Sequence, residues 1–251
     1  MQVLKQHTFI CGGARSGTSA MADLLRAHPQ IAMGRERYAF LLRDGHPYEP
    51  HLFEKDRFCL DHRPDDSHHR LVQPYYAELH ARFDQCTMVG DKLPNLWEGY
   101  DRVLQYFPNC KVIYMLRNVF HVAQSFQGRC DQAMKQNLNP NLPNNPWPES
   151  RDWKRGVEEW NLSLEETLKH PRSRDFHVFP YEHLFSQDEL LDDLFHYLGL
   201  PVDLAVKEEW KASQDIREEL EASRSLRFRS EQMDWIMRNA RFDLFQELAA
   251  R

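Results

Sequence analysis

The sequence predicts an α/β fold in which a central, mainly parallel sheet is flanked by helices in three layers. Two observations predict it. Short apolar runs rich in β-branched and aromatic residues alternate with stretches of helical period, the pattern of βαβ units. Each apolar run also ends on polar residues, as buried parallel strands do when their carboxyl ends carry ligand-binding groups. The chain has 251 residues, 41% of them hydrophobic, with 15 Phe, 9 Tyr and 6 Trp to fill a core. It reads as a single domain, 1–251, without internal repeats.

The elements follow in chain order. Thr8–Cys11 is the first strand, Gly12–Gly17 a Gly-rich turn, and Ser19–Ala27 a helix with Met21, Leu24 and Leu25 on one face. Arg43–Arg70 is polar and rich in His, Asp and Pro. It reads as a long loop (43–70), a candidate lid or acceptor-binding segment. Leu71–Phe83 has helical spacing, Thr87–Gly90 is a second strand, and Leu96–Phe107 is again helical. Lys111–Leu116 is a third strand, followed by a helix over Val119–Gly128. Gln136–Ser150, dense in Asn and Pro, is the second candidate acceptor loop (136–150). Trp153–His170 is a long amphipathic helix carrying Val157, Trp160, Leu164 and Leu168, and His177–Phe179 is the fourth strand. From Leu204 onward the chain is helical and strongly charged and reads as a mostly solvated face, from which either Arg227 or Arg229 could still reach a ligand.

Composition excludes several functions. The net charge of −6 argues against a general nucleic-acid binder. The five cysteines (Cys11, Cys59, Cys86, Cys110, Cys130) are scattered and form no C-x-x-C pair, so reduced thiols are expected rather than a disulfide framework or zinc site. The run Asp61–His69 lacks consistent ligand spacing, and no metal is expected there. No signal peptide and no apolar run near 18 residues is present, so the expectation is a soluble cytoplasmic protein without membrane contact. The sequence does not set the oligomeric state.

The chemistry concentrates after the first and third strands. Glycines at 12, 13 and 17 let the backbone turn tightly, and the following helix aims its free N–H groups and positive dipole end into that turn. Gly12 and Gly17 have the spacing of G-x-x-x-x-G-K-[ST], but Thr18 stands where the lysine belongs and Arg15 lies inside the loop. The fold is therefore P-loop-like, with an altered anion site. After the third strand come Arg117, then Ser125 and Arg129 at i, i+4 on one helix face, a second anion site. A nucleotide hydrolase would carry an acidic metal ligand after such a strand. Arg117 takes that place, and two anion sites fit a ligand with phosphate at both ends.

These motifs resemble the sulfotransferases that use 3′-phosphoadenosine 5′-phosphosulfate. Arg15-Ser16-Gly17-Thr18-Ser19 is similar to their 5′-phosphosulfate loop, and Leu116-Arg117-Asn118 through Ser125-Phe126 to their 3′-phosphate motif. Ala27-His28-Pro29 running to Gly34-Arg35-Glu36-Arg37 resembles the tyrosylprotein sulfotransferase branch and its bacterial relatives. The resemblance implies roles for individual residues. Arg15, Ser16, Gly17, Thr18 and Ser19 would hold the 5′-phosphosulfate; Arg117, Ser125 and Arg129 the 3′-phosphate. Glu36 falls at the general base, Lys92 in Gly90-Asp91-Lys92-Leu93-Pro94 near the bridging oxygen, and Tyr181 at a nucleotide contact. Arg35 departs from the family's Glu-Glu pair and changes the charge beside the acceptor. Taken alone, Glu36 reads as a loop residue, Lys92 as a partner of Asp91, Arg129 as a partner of Asp131, and Tyr181 as core.

The implied enzyme is a metal-free sulfotransferase. It takes 3′-phosphoadenosine 5′-phosphosulfate as donor co-substrate and an acceptor hydroxyl on a small molecule, sugar, lipid or peptide tyrosine. Catalysis would fall to Glu36, Lys92 and Arg15. The alternatives are a P-loop nucleotide-dependent kinase or hydrolase, or a sulfonucleotide-binding protein without turnover.

Overall fold

A computed structural model describes residues 5–66, 73–135, 150–223 and 227–251. Five strands form one sheet: β1 (Gln6–Gly12), β2 (Ile31–Met33), β3 (Met88–Lys92), β4 (Lys111–Leu116) and β5 (His177–Pro180). The sheet is parallel throughout, in the order β2-β3-β1-β4-β5. Helices α1 (Thr18–Ala27), α2 (Ala39–Arg43), α3 (Lys55–Cys59) and α4 (Gln73–Arg82) precede β3. Helix α5 (Tyr100–Leu104) leads to β4, and α6 (Val119–Lys135) and α7 (Trp153–Lys169) to β5. Helices α8 (Asp188–Leu198), α9 (Leu204–Ser223), α10 (Ser230–Asn239) and α11 (Phe242–Ala249) follow.

Side-chain alternation divides the core into two layers. On β1, Phe9 and Cys11 enter one cluster while Ile10 enters the other. On β4, Val112, Tyr114 and Leu116 face the first, and Ile113 and Met115 the second. Residues of α6 and α7 cover the first face, those of α1, α8 and α9 the second. The expected three-layer α/β arrangement is thus present, and all the strands' carboxyl ends lie on one edge of the sheet.

The structure differs from the sequence reading in four places. Strand β2 was not expected: three residues are too short a run to show a period. The helix expected over Leu96–Phe107 is a 3-10 turn (Leu96–Gly99) followed by the short α5, because Gly99 leaves helical geometry. A Cβ at Gly99 would come within 2.8 Å of Leu42 Cδ1, so the break lets the chain pack closely there. Helix α6 runs on through Gly128, whose Cβ position is open, to Lys135. Segment 43–66 contains a 3-10 turn (Pro50–Phe53) and α3, and buries Tyr48, Leu52, Phe53 and Phe58. The second candidate loop, 136–149, lies outside the described residues.

Candidate active site

The turn after β1 adopts the backbone its glycines allow. Gly12 and Gly17 have φ of 142° and 95°. A Cβ on Gly12 would lie 2.5 Å from the Met115 carbonyl oxygen, and one on Gly17 2.1 Å from the Tyr181 ring. Arg15 takes φ 68° without being glycine, a strain of about 1–3 kcal/mol that the surroundings must hold in place. Gly17 caps α1, and no side chain closes that helix end, so its first turn presents backbone N–H groups to the loop. Ser16 is buried, and among the described residues its Oγ has no hydrogen-bond partner. An orphaned buried hydroxyl beside a free helix N-terminus suits an oxyanion ligand.

Arg15 and Arg117 meet at this turn, and the charge of Arg129 acts on Arg15. Arg15 Nε donates to Ser125 Oγ at 2.9 Å, and Arg117 Nη1 donates to the Arg15 carbonyl oxygen at 2.7 Å. The Arg117 guanidinium lies 4.1 Å from the centre of the Tyr181 ring, and that ring also covers Gly17. Arg15 is pushed down to about 10, first by burial and then by the charges of Arg129 and Arg117. Like charges pressed together in this way invite an anion between them. The residues read from sequence as separate sulfate and phosphate ends therefore touch directly, through Arg15, Ser125 and Arg117.

Trp160 is buried and anchors the turn after β4: its Nε1 donates to the Arg117 carbonyl oxygen at 2.8 Å. Glu182 accepts the Asn118 N–H at 2.8 Å, which fixes the turn after β4. Burial opposes ionisation of Glu182, but His121, the Asn118 N–H and the Arg117 charge outweigh it and lower its pKa. Sequence spacing gave no signal for Glu182, which acts through a distant backbone group.

Opposite the arginines stands an acid–base pair. Lys92, buried at the end of β3, forms an ion pair with Glu36, whose side chain is 18% exposed. Glu36 also has a positive φ, 57°. Its N–H donates to the Lys92 carbonyl oxygen at 2.9 Å, so the turn after β2 is stitched to β3. Asp91 does not pair with Lys92 through side chains, as the simpler reading of that motif had it. Its carboxylate accepts backbone N–H groups instead, including that of Lys92 at 2.8 Å. Arg35 turns toward α1 and pairs with Asp23 at 3.6 Å. Arg37 is buried in an ion pair with Asp66 at 2.9 Å.

Every strand end thus contributes: the turn after β1, Glu36 after β2, Lys92 on β3, Arg117 after β4 and Tyr181 after β5. Arg229 is the N-cap residue of α10. Among the described residues no group of three or more His, Cys, Asp or Glu side chains is placed to hold a metal ion, and no helix is long and apolar enough to cross a membrane.

A model of the sulfotransferase family matches residues 8–204, which takes in all of these groups. The chain belongs to the sulfotransferase family. The sulfotransferase domain of the curacin biosynthetic pathway is 19% identical, with a TM-score of 0.53 over 81% of this chain and 77% of that one. The sulfotransferase domain of the Synechococcus PCC 7002 olefin synthase is 17% identical, with a TM-score of 0.48 over 82% of this chain and 77% of that one. A mouse sulfotransferase complexed with PAP is 15% identical, with a TM-score of 0.48 over 83% of this chain and 63% of that one. At such identities the curacin-pathway likeness bears on fold alone. Curated proteins compared by sequence yield no match. The chain is accordingly a sulfotransferase enzyme.

Proposed function

We propose that this sulfotransferase moves a sulfuryl group from 3′-phosphoadenosine 5′-phosphosulfate to an acceptor hydroxyl, with Glu36 as general base. The observation that carries this reading is the placement of Arg15 and Arg117, under the added charge of Arg129, beside an orphaned Ser16 hydroxyl, with a Glu36–Lys92 pair at the neighbouring strand ends.

The donor fits the groups present. Ser16 Oγ, the N–H groups at the start of α1 and Arg15 suit the 5′-phosphosulfate, while Arg117, Arg129 and Ser125 suit the 3′-phosphate. Thr18 and Ser19 open α1 and add hydroxyls beside the same end. The Tyr181 ring closes one wall. Neutralising clustered like charges gives the site affinity for a bisphosphate without a metal ion.

Transfer breaks the sulfur–oxygen bond to the 5′-phosphate and makes one to the acceptor oxygen. Glu36 takes the acceptor's proton, a role that contributes typically about 10²–10⁴-fold. Arg15 and Lys92 meet the negative charge that grows on the departing phosphate oxygen. The Lys92 ammonium has three donors, so it can hold Glu36 and still offer a hydrogen bond to that oxygen. The acceptor is a hydroxyl compound, and we place the activity in the cytoplasm.

Calorimetry with 3′-phosphoadenosine 5′-phosphate in the presence of a chelator tests the reading. Tight binding is expected, and its absence with folded protein overturns the proposal.

A further inference from the structure

The turn that carries Glu36 is organised around a carboxylate that sulfuryl transfer leaves unused. Asp91 is fully buried on β3, one residue before Lys92. Its Oδ1 accepts the N–H of Arg37 at 3.0 Å and of Lys92 at 2.8 Å. Its Oδ2 accepts the N–H of Tyr38 at 3.0 Å and the hydroxyl of Tyr48 at 3.2 Å. Among the described residues no cation pairs with it.

A buried carboxylate without a counter-ion is a poor way to stabilise a core. Burial pushes Asp91 up to about 6, even with backbone N–H groups opposing the rise. Its four donors share a location rather than a chemistry. Arg37 and Tyr38 directly follow Glu36, and the third N–H belongs to Lys92. Successive N–H groups curled around an anion form a nest, which fixes the backbone that supplies them. The turn also wraps the carboxylate closely: a Cβ on Gly34 would stand 2.6 Å from Asp91 Oδ1. Glu36 itself sits at φ 57°, a conformation its own side chain disfavours.

We propose that Asp91 is a positioning residue that holds Glu36 in its left-handed backbone conformation and so presents the Glu36 carboxylate to Lys92. The inference rests on Glu36 being the base.

The test uses the full chain with Asp91→Asn. Asparagine offers one acceptor oxygen in place of two and sets an NH₂ against groups that are already donors. Affinity for 3′-phosphoadenosine 5′-phosphate should stay within about twofold, because Asp91 meets the site only through the Lys92 backbone N–H and hydrogen-bonds to none of Arg15, Ser16, Arg117 or Ser125. Donor turnover, with water or 4-nitrophenol as acceptor, should fall about 10–100-fold, the scale of a displaced catalytic group. The loss should not add to that of Glu36→Gln: the double variant should remain within about threefold of Glu36→Gln alone. Gly34→Ala, which crowds the same carboxylate, should behave in the same non-additive way.

Full turnover in Asp91→Asn, or additive losses in the double variants, overturns the inference. Full turnover in Glu36→Gln overturns the general-base reading instead. In that event the ¹³C resonance of the Glu36 carboxyl decides the positioning claim: it should move in Asp91→Asn, and an unmoved signal overturns it.

Discussion

Replacing Gly17 with alanine perturbs both anion sites at once, and the structure separates the cost into two parts. The first is conformational. Gly17 has φ 95°, and holding an alanine in a left-handed conformation costs about 1–2 kcal/mol. The second is steric. The new methyl group would stand 2.1 Å from Cδ2 and 2.4 Å from Cε2 of Tyr181, so the ring must move. Overpacking of that kind costs about 1–3 kcal/mol. Gly17→Ala should therefore destabilise the protein by about 2–5 kcal/mol in urea unfolding, within the stability a domain of this size has to lose. In a Tyr181→Ala background only the conformational part remains, about 1–2 kcal/mol. A displaced ring also leaves Arg117, which lies 4.1 Å from its centre. Losing that cation–π contact should weaken 3′-phosphoadenosine 5′-phosphate binding about 2–30-fold. Equal destabilisation in the two backgrounds would refute the steric argument, and unchanged affinity in Gly17→Ala would refute the link from Gly17 through Tyr181 to Arg117.

Other outcomes follow from the same geometry. Glu36→Gln should lower donor turnover about 10²–10⁴-fold while leaving nucleotide affinity unchanged by calorimetry. Arg129→Gln should stabilise the ligand-free protein by about 0.5 kcal/mol, by relieving the repulsion on Arg15, and weaken nucleotide binding, two effects of opposite sign. His7, held down to about 4 from 6.5 by burial, stays neutral in the fold where the unfolded chain takes up a proton. Its stabilisation is complete above pH 6.5 and is lost as the pH falls through about 4. The loss should be about 1–2 kcal/mol, because partial exposure screens the full value, and it should vanish in His7→Gln unfolding curves. All five cysteines are buried, with Cys11 and Cys59 pushed up to about 12 by burial, so a thiol reagent should label them only on unfolding.

Much of the fold was legible because the strands announce themselves locally. Lys111–Leu116 is β4 to the residue, and Thr8–Cys11 lies inside β1. The candidate anion-site residues stood out for the same reason: the Gly-rich turn and the Arg117, Ser125 and Arg129 spacing are short-range patterns. Strand β2 was not, since Ile31-Ala32-Met33 acquires its identity only by pairing with β3. Segment 43–66 misled by averaging: its His, Asp and Pro residues hide Tyr48, Phe53 and Phe58, which are separated by polar neighbours yet all buried. Asp91 was legible only as a neighbour of Lys92. Its role depends on N–H groups more than fifty residues earlier, and no local pattern encodes such a contact.

The crowding of Arg15, Arg117 and Arg129 also bears on how a catalytic cycle ends. The spent bisphosphate of the proposed reaction keeps both phosphates after the sulfuryl group has gone, and with them the groups that quiet the repulsion. Its departure returns three positive charges to one another. Product exit, rather than bond exchange, should then set the pace of the proposed turnover, and added bisphosphate should slow it in a steady-state assay.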